Sequence, residues 1–166
     1  MDSDDEVTST VFRTVCGRFA TGVAVATTRD GKGARWGLTV NSFSSVSLDP
    51  PLVLFSIDRS ASSHDIFLGS PRFGINILSD RQKALSDRFS FLKDEDRFDG
   101  IDLVSGREAD PPLIDGAIAH IVCDLANTFP GGDHTILLGR VRHTAVSKDT
   151  TARPLLYYAG GYAGIS

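Results

Sequence analysis

Gly37-Leu38-Thr39-Val40-Asn41-Ser42-Phe43-Ser44-Ser45-Val46-Ser47-Leu48-Asp49-Pro50-Pro51-Leu52-Val53-Leu54-Phe55-Ser56-Ile57 decides the fold. Its first part is a strand of small and hydroxyl-bearing residues. Asp49-Pro50-Pro51 then breaks the chain, because proline donates nothing to a ladder and biases its predecessor away from helix. Residues 52–57 are almost continuously apolar and read as a strand covered on both faces. Ahead of that run lie Thr39, Asn41, Ser42, Ser44, Ser45 and Ser47, short polar side chains without a charge. An edge strand leading into a turn has this composition. So does the rim of a site for a flat ligand with polar edges, and this density directly before an apolar strand favours the rim. Such a surface suits a metal ion or a polyanion poorly.

Working outward, Val11, Phe12, Val15, Cys16 and Phe19 fall at spacings of one, three and four. That predicts a helix over residues 9–20, with Ser9 or Thr10 as its cap. Residues 22–28 are small and β-branched, a strand, and Arg29-Asp30-Gly31-Lys32-Gly33 is a hairpin turn into a return strand over 36–43. Downstream, residues 60–69 read as a short helix with a serine cap. Residues 72–78 alternate as a half-buried strand, and helical spacing resumes over 79–91. Residues 93–112 are polar and read as a long loop. Two long strands, 117–127 and 133–147, flank Pro130-Gly131-Gly132. The tail carries Leu155-Leu156-Tyr157-Tyr158 and then glycines. Strands joined mostly by tight turns, with two or three helices inserted, point to a mainly β fold, a barrel with helices rather than alternating βαβ units. No Gly-x-Gly-x-x-Gly links a strand to a helix, which disfavours a doubly wound dinucleotide fold.

The 166 residues fit one domain over 9–166 behind a frayed acidic tail over 1–8. The net charge of −4 argues against a nucleic-acid surface, which shows itself as clustered Lys and Arg. No run approaches the roughly 18 apolar residues of a membrane span. The N-terminus is acidic where a secretory leader is basic and then apolar, so the cytoplasm is the expected compartment. Cys16 and Cys123 share no metal-like or redox spacing and read as buried thiols. Without a paired His or Cys motif, no metal site is expected.

Arg59-Ser60-Ala61-Ser62-Ser63-His64 opens a helix, where free N–H groups and hydroxyls hold a phosphate or simply cap the helix. Both readings stand. Asp133-His134-Thr135 follows a Gly-Gly turn, so His134 is either a half-exposed turn residue or a group that stacks on or hydrogen-bonds to a substrate. His120 alternates within its strand as a satisfied strand residue, and His143 has no evident carboxylate partner. No Gly-x-Ser-x-Gly elbow anchors hydrolase chemistry.

Four segments, in this order and spacing, carry a resemblance. They are Phe19-Ala20-Thr21-Gly22-Val23-Ala24-Val25 with the 39–54 stretch; Arg72-Phe73-Gly74-Ile75-Asn76-Ile77-Leu78 with Gln82 and Arg88-Phe89-Ser90; Gly132-Asp133-His134-Thr135-Ile136-Leu137-Leu138-Gly139-Arg140-Val141; and Pro154-Leu155-Leu156-Tyr157-Tyr158-Ala159-Gly160-Gly161-Tyr162. Through them the chain resembles, from about residue 12 to 165, the short-chain flavin reductases of two-component monooxygenases. The resemblance implies a split β-barrel of the FMN-binding type. It also implies a homodimer that binds FMN or FAD near the subunit interface and takes hydride from NADH or NADPH for a partner oxygenase.

By that likeness Arg35, Trp36, Gly37, Leu38 and Thr39, with Asn41 and Ser42, line the flavin. An asparagine amide, donor and acceptor at once, matches the alternating edge of the flavin pyrimidine. Ser56, Ile57 and Asp58 follow the ring or ribityl chain, Ser62 and Ser63 face the phosphate, and Arg88 and Phe89 close the site. His134 sits beside the nicotinamide, and Tyr157, Tyr158 and Gly161 help hold the nucleotide. Two rivals keep the fold. One passes electrons to a corrinoid or a ferric chelate, and the other is a non-enzymatic flavin- or haem-binding module.

Overall fold

The computed structural model describes residues 7–91, 97–104, 106 and 110–165. Most of the expected tail, and the expected loop at 93–96, 105 and 107–109, lie outside those residues. In chain order the elements are α1 (Ser9–Cys16), β1 (Thr21–Gly22), β2 (Ala24–Arg29), β3 (Arg35–Val40), β4 (Ser44–Leu48), β5 (Pro51–Asp58), α2 (His64–Gly69) and β6 (Arg72–Ile77). A 3₁₀ turn (Asp80–Gln82) leads into α3 (Lys83–Phe91), then β7 (Ala119–Gly131), β8 (His134–Val146), β9 (Leu156–Tyr158) and β10 (Gly161–Ala163).

Seven strands hydrogen-bond in the order β3-β2-β6-β7-β8-β5-β4, each antiparallel to its neighbour. The two edge strands, β3 and β4, are consecutive in the chain. Laid flat, six inter-strand gaps would set them about 29 Å apart. The link from Val40 to Ser44 reaches at most about 14 Å. The sheet must therefore roll up until its edges meet, although no ladder joins them. Ser42 stands at that seam: its hydroxyl donates to Ser56 O at 3.2 Å and accepts from Ser56 N at 2.9 Å. A second sheet, β1-β9-β10, lies beside the first.

The barrel interior is filled by Ala26, Val53, Phe55, Ile57, Phe67, Phe73, Ile75, Cys123 and Leu137. Phe55 meets Phe67 and Phe73 edge to face, with centroids 5.8 and 5.1 Å apart. A second core, built on Val23, Val25, Leu78, Phe89, Phe98, Ile114 and Leu155, covers the outer face of β2. The strand covered on both faces is thus β2, in which residues 24–28 are at most 4% exposed. This corrects the expectation for β5, which alternates: Val53, Phe55 and Ile57 face the interior, while Leu52, Leu54 and Ser56 are half-buried. β6 departs the other way. Phe73, Gly74, Ile75 and Asn76 are all buried, because residues 110–118 lie over its outer face. Polar groups fasten that cover: Thr27 Oγ1 donates to Pro112 O at 2.6 Å, Ile114 N to Asn76 Oδ1 at 2.7 Å, and His120 Nε2 to Ile114 O at 2.8 Å.

Local details differ from expectation for local reasons. Thr8, not Ser9 or Thr10, caps α1 by accepting from Val11 N at 3.3 Å, and the helix stops at Cys16 with Gly17 as its C-cap. No residue of α1 is buried, so Cys16 is an exposed thiol. Cys123 is buried as expected, and burial pushes its pKa up to about 12. Helix α2 is shorter than expected, since residues 59–63 turn before it and Ser63 makes no side-chain cap bond. The serine run 44–48, beyond the return strand expected over 36–43, is a strand of its own paired with β5.

Gly139 shows how tightly the interior is closed: a Cβ there would lie 2.8 Å from Cys123 Cβ and inside contact distance of the Phe73 ring. Gly139→Ala is expected to destabilise the protein by about 1–3 kcal/mol, as overpacked cores do. Urea unfolding with an unchanged midpoint would contradict this packing.

Candidate functional site

A cleft of about 370 Å³ opens where the end of β3, α3 and the β9–β10 hairpin converge. Its walls are tied together by hydroxyls. Thr39 Oγ1 donates to Ser86 O at 2.7 Å, which fixes α3 against β3. Ser86 Oγ lies 2.8 Å from Tyr162 OH, and Tyr162 OH donates to Asp87 Oδ1 at 2.8 Å, which fixes the hairpin to α3. Burial chiefly, with help from Asp87 and against the Ser86 contact, raises the Tyr162 pKa. The Tyr157 and Tyr162 rings pack edge to face at 5.8 Å. Between them the chain reverses through Ala159 and Gly160, with φ of 50° and 83°. Two left-handed residues in a two-residue loop match the twist of a hairpin. The cleft lies in the volume range of small-molecule sites, roughly 300–1,000 Å³.

A second cleft of about 320 Å³ adjoins the first, and the two share Val23 and Asn41. Its walls are Phe19, Ala24, Phe43 and Ile77, with Thr21 and Gly22 of β1. Thr21 Oγ1 is buried and has no hydrogen-bond partner among the described residues.

From Asn41 a polar path continues along the outside of the barrel. It passes through the Ser42–Ser56 pair at the seam and on to Asp58, which sits opposite His134 in the β5–β8 register. Asp58 Oδ1 accepts from both the N–H and the hydroxyl of Ser60, each at 2.7 Å. The Ser60 N–H bond chiefly, then the Ser60 hydroxyl, with smaller help from His134 and His64, holds the Asp58 carboxyl below its ordinary pKa. His134 Nδ1 donates to Asp133 Oδ1 at 2.7 Å, since a carboxylate only accepts. His64 ties α2 to the neighbouring residue of β8: Nδ1 donates to Asp65 Oδ1 at 2.8 Å, and Nε2 lies 2.9 Å from the Thr135 hydroxyl.

Of the residues expected from sequence, Thr39, Asn41, Tyr157 and Gly161 line the first cleft. Ser42, Ser56, Asp58 and His134 form the path that leaves it. Ser62 is exposed and Arg88 half-buried on α3. Others belong to the packing. Ile57 and Phe89 are at most 1% exposed, so each is a core side chain rather than a wall of the cleft. Phe89 packs on Phe98 at 5.0 Å and under Gly37, where a Cβ would lie 2.8 Å from its ring. Ser63 is 1% exposed and Leu38 packs on the barrel core. Arg35 and Trp36 sit at the far end of β3, and Trp36 Nε1 donates to Asp30 Oδ2 at 3.2 Å. Tyr158 is exposed. Sequence reasoning missed Ser86, Asp87, Ser90 and Tyr162 of the cleft wall. The four-residue spacing of Ser86 and Ser90 on one helix face was a readable signal. Among the described residues, no cluster of three or more His, Cys, Asp or Glu could hold a metal ion.

Residues 16–166 match the family described as "Flavin reductase like domain". This chain belongs to the flavin reductase family. A flavin reductase of Pseudomonas putida is 42% identical over 155 residues, spanning 93% of this chain and 89% of that protein. The reductase subunit HsaB of a flavin-dependent monooxygenase from Mycobacterium tuberculosis is 40% identical, spanning 93% of this chain and 81% of that one. The Streptomyces globisporus NADH:FAD oxidoreductase SgcE6, solved with NAD and FAD fragments, superposes with a TM-score of 0.86 at 36% identity, covering 95% of this chain and 92% of that one. The fold of these flavin reductases is a split barrel, and the open seam between β3 and β4 is the split in this member.

In this flavin reductase family member Asp58 anchors the loop at 58–63. Its folded pKa is lowered, so its contribution to stability is present above the unfolded pKa and is lost as pH falls through the folded one. Asp58→Asn imitates the protonated form. The gap in Tm between wild type and Asp58→Asn is expected at neutral pH and closes as acid protonates Asp58. A gap that stays constant with pH would contradict the assignment.

Proposed function

We propose that this chain oxidises NADH or NADPH with FMN or FAD as the acceptor and supplies the reduced flavin to a partner monooxygenase. One observation carries the reading beyond family membership. The joined clefts form a groove with apolar walls and a rim of mostly neutral donors and acceptors, with Asp87 the one carboxylate among them, and a polar path leads from it to Asp58 and His134. The residues present fit a flavin. The Thr21 hydroxyl and the Asn41 amide are both uncommitted in the groove, and an amide that donates and accepts suits a ring with an alternating carbonyl and N–H edge. When bound, the flavin supplies a hydride acceptor at N5 opposite the nicotinamide C4.

The chain's own residues bind and orient. Asn41 holds the ring edge. Ser56 and the Ile57 backbone border the ring or ribityl chain, with Asp58 beyond them. Ser62, at the turn before α2, meets the phosphate, and Arg88 closes the site from α3. Tyr157 and Gly161 hold the nicotinamide nucleotide. His134, its ring oriented by Asp133, positions the nicotinamide, because hydride transfer needs the reacting atoms about 3–3.5 Å apart and no protein acid. The partner that completes the molecule is a second copy of the chain. Helix α1 exposes Val11, Phe12 and Val15, and Phe19 follows just beyond it, each at least 55% accessible, and a helix this short needs an apolar face covered to be stable.

Consumption of NADH with and without added FMN or FAD tests the reading. Flavin-dependent oxidation supports it, whereas bound flavin without any NAD(P)H oxidation would favour a non-enzymatic binding module. His134→Ala is expected to lower kcat/KM for NADH roughly tenfold or more while leaving flavin affinity in place. Unchanged kcat/KM would remove His134 from the site. Phe12→Asp combined with Val15→Asp is expected to convert a dimer into a monomer on sedimentation. A double variant that sediments like wild type would place the dimer contact elsewhere.

A further inference from the structure

We infer that Asp87 makes this chain select NADH over NADPH. Its carboxylate accepts from the ribose hydroxyls of an adenosine in the first cleft and repels the 2′-phosphate that NADPH carries at that place. The inference rests on the flavin reductase reading and deepens it by naming the nucleotide. With the nicotinamide beside His134, at the far end of the polar path, the half of the nucleotide that reaches Tyr157 and Gly161 is the adenosine half.

Asp87 is the one charged side chain on the walls of that cleft; among the described residues no Lys, Arg or His lines it. Its carboxylate is held in place. Oδ1 accepts from Tyr162 OH at 2.8 Å, and Tyr162 in turn lies 2.8 Å from Ser86 Oγ and packs edge to face on Tyr157. The hydroxyls beside it are committed: Thr39 donates to Ser86 O at 2.7 Å, and Ser90 donates to the same carbonyl at 2.9 Å. Asp87 Oδ2 has no recorded partner among the described residues. An oxygen that can only accept is therefore left open at the cleft wall.

A ribose diol donates to such an acceptor, and an acidic side chain on the 2′-hydroxyl is how other nucleotide folds recognise NAD. A 2′-phosphate brings only acceptors and more negative charge, and it meets no cation on the cleft wall. The last turn of α3 sharpens the contrast. Ser90 and Phe91 end that helix on the wall of the same cleft, and the C-terminal pole of a helix carries partial negative charge. Lys83, one turn before Asp87, does not line the cleft; its Nζ stands over the Tyr162 ring, 5.4 Å from the centroid. A lysine that swung in would favour the phosphate, so Lys83 is the rival that a test must exclude. Selection here works by repulsion of the wrong nucleotide as much as by attraction of the right one.

Asp87→Asn keeps an oxygen for Tyr162 and removes the charge. Calorimetry gives the Kd of NAD⁺ and of NADP⁺ on the full chain, with and without saturating flavin, and needs no turnover. Wild type is expected to bind NAD⁺ about tenfold or more tighter than NADP⁺. Asp87→Asn is expected to bring the two within about threefold, chiefly by tightening NADP⁺. A ratio that Asp87→Asn leaves unchanged overturns the inference. So does an equal loss for both nucleotides, which would put the nicotinamide ribose at Asp87. A wild type without a preference overturns it too, as does one that prefers NADP⁺, which would give the phosphate to Lys83. Should Asp87→Asn fail to fold, salt decides on wild type alone: screening weakens a repulsion, so the preference for NAD⁺ must shrink as salt is raised. A preference that holds or grows overturns the inference, and so does a protein that binds neither nucleotide. A chain that shows the Asp87-dependent preference yet oxidises no NAD(P)H would sink the reductase reading and leave this inference standing.

Discussion

The molecule depends on the fact that its two edge strands, β3 and β4, are neighbours in the chain and not in the sheet. A link of three residues cannot span a flat seven-stranded sheet, so the sheet is forced to roll, and the roll is what creates an interior for Phe55, Phe67 and Phe73. The seam left behind has backbone groups that no ladder satisfies. Ser42 answers two of them, accepting from Ser56 N and donating to Ser56 O. A residue with a longer side chain would hold the edges apart, and one without a hydroxyl would leave the Ser56 groups unpaired. The polar residues of the 39–47 stretch are therefore a structural necessity of the split before any ligand is considered, and the site grows out of the same necessity.

Rolling alone would leave the outer face of β2 and β6 in water. The chain spends α3, residues 97–104 and residues 110–118 on covering it. Small residues make this double coverage possible. Ala24, Val25, Ala26, Thr27 and Thr28 let one layer approach from inside and another from outside, and Gly37 lets the Phe89 ring lie directly on β3. The polar members of that face, Thr27 and Asn76, are buried only because each bonds the covering segment or its own sheet. That outer layer carries Ser86, Asp87 and Arg88, so the stability of the second core and the position of one cleft wall are the same problem.

What was legible in the sequence follows from the range of the interactions involved. The β2–β3 and β7–β8 hairpins were readable because their turns carry their own chemistry in Asp30-Gly31 and Gly131-Gly132. The rim at Thr39, Asn41 and Ser42 was readable because hydroxyl density is local. Sidedness was not. Residues 52–57 look more apolar than residues 24–28, yet β2 is the doubly covered strand, because coverage depends on segments 47 to 85 residues away in the chain. Phe89 was read as part of the site and is core, since only the approach of Gly37 and Phe98 reveals its role. The Tyr162–Asp87 and Tyr162–Ser86 bonds join residues 75 and 76 apart, and no local pattern announces them. The cap of α1 slipped to Thr8 because Thr8, Ser9 and Thr10 all carry hydroxyls and only backbone conformation chooses among them.

The groove is poor in charge, Asp87 being the one carboxylate along its two clefts, and this bears on how such a site would work. Each neutral hydrogen bond contributes about 1 kcal/mol net, and an apolar wall adds roughly 25 cal/mol per Å² of ring covered. A handful of such terms, after the cost of immobilising the ligand, gives binding that is specific in shape but modest in strength. A site built on paired charges or a covalent tether would hold its ligand for much longer. A reductase that must surrender a reduced flavin to a second protein is served by release, and the seam supplies it. The ring would lie along an open edge whose two strands are joined by one short link and one serine, not enclosed by a continuous ladder. The same incompleteness that forces the sheet to roll thus leaves the ligand a way out.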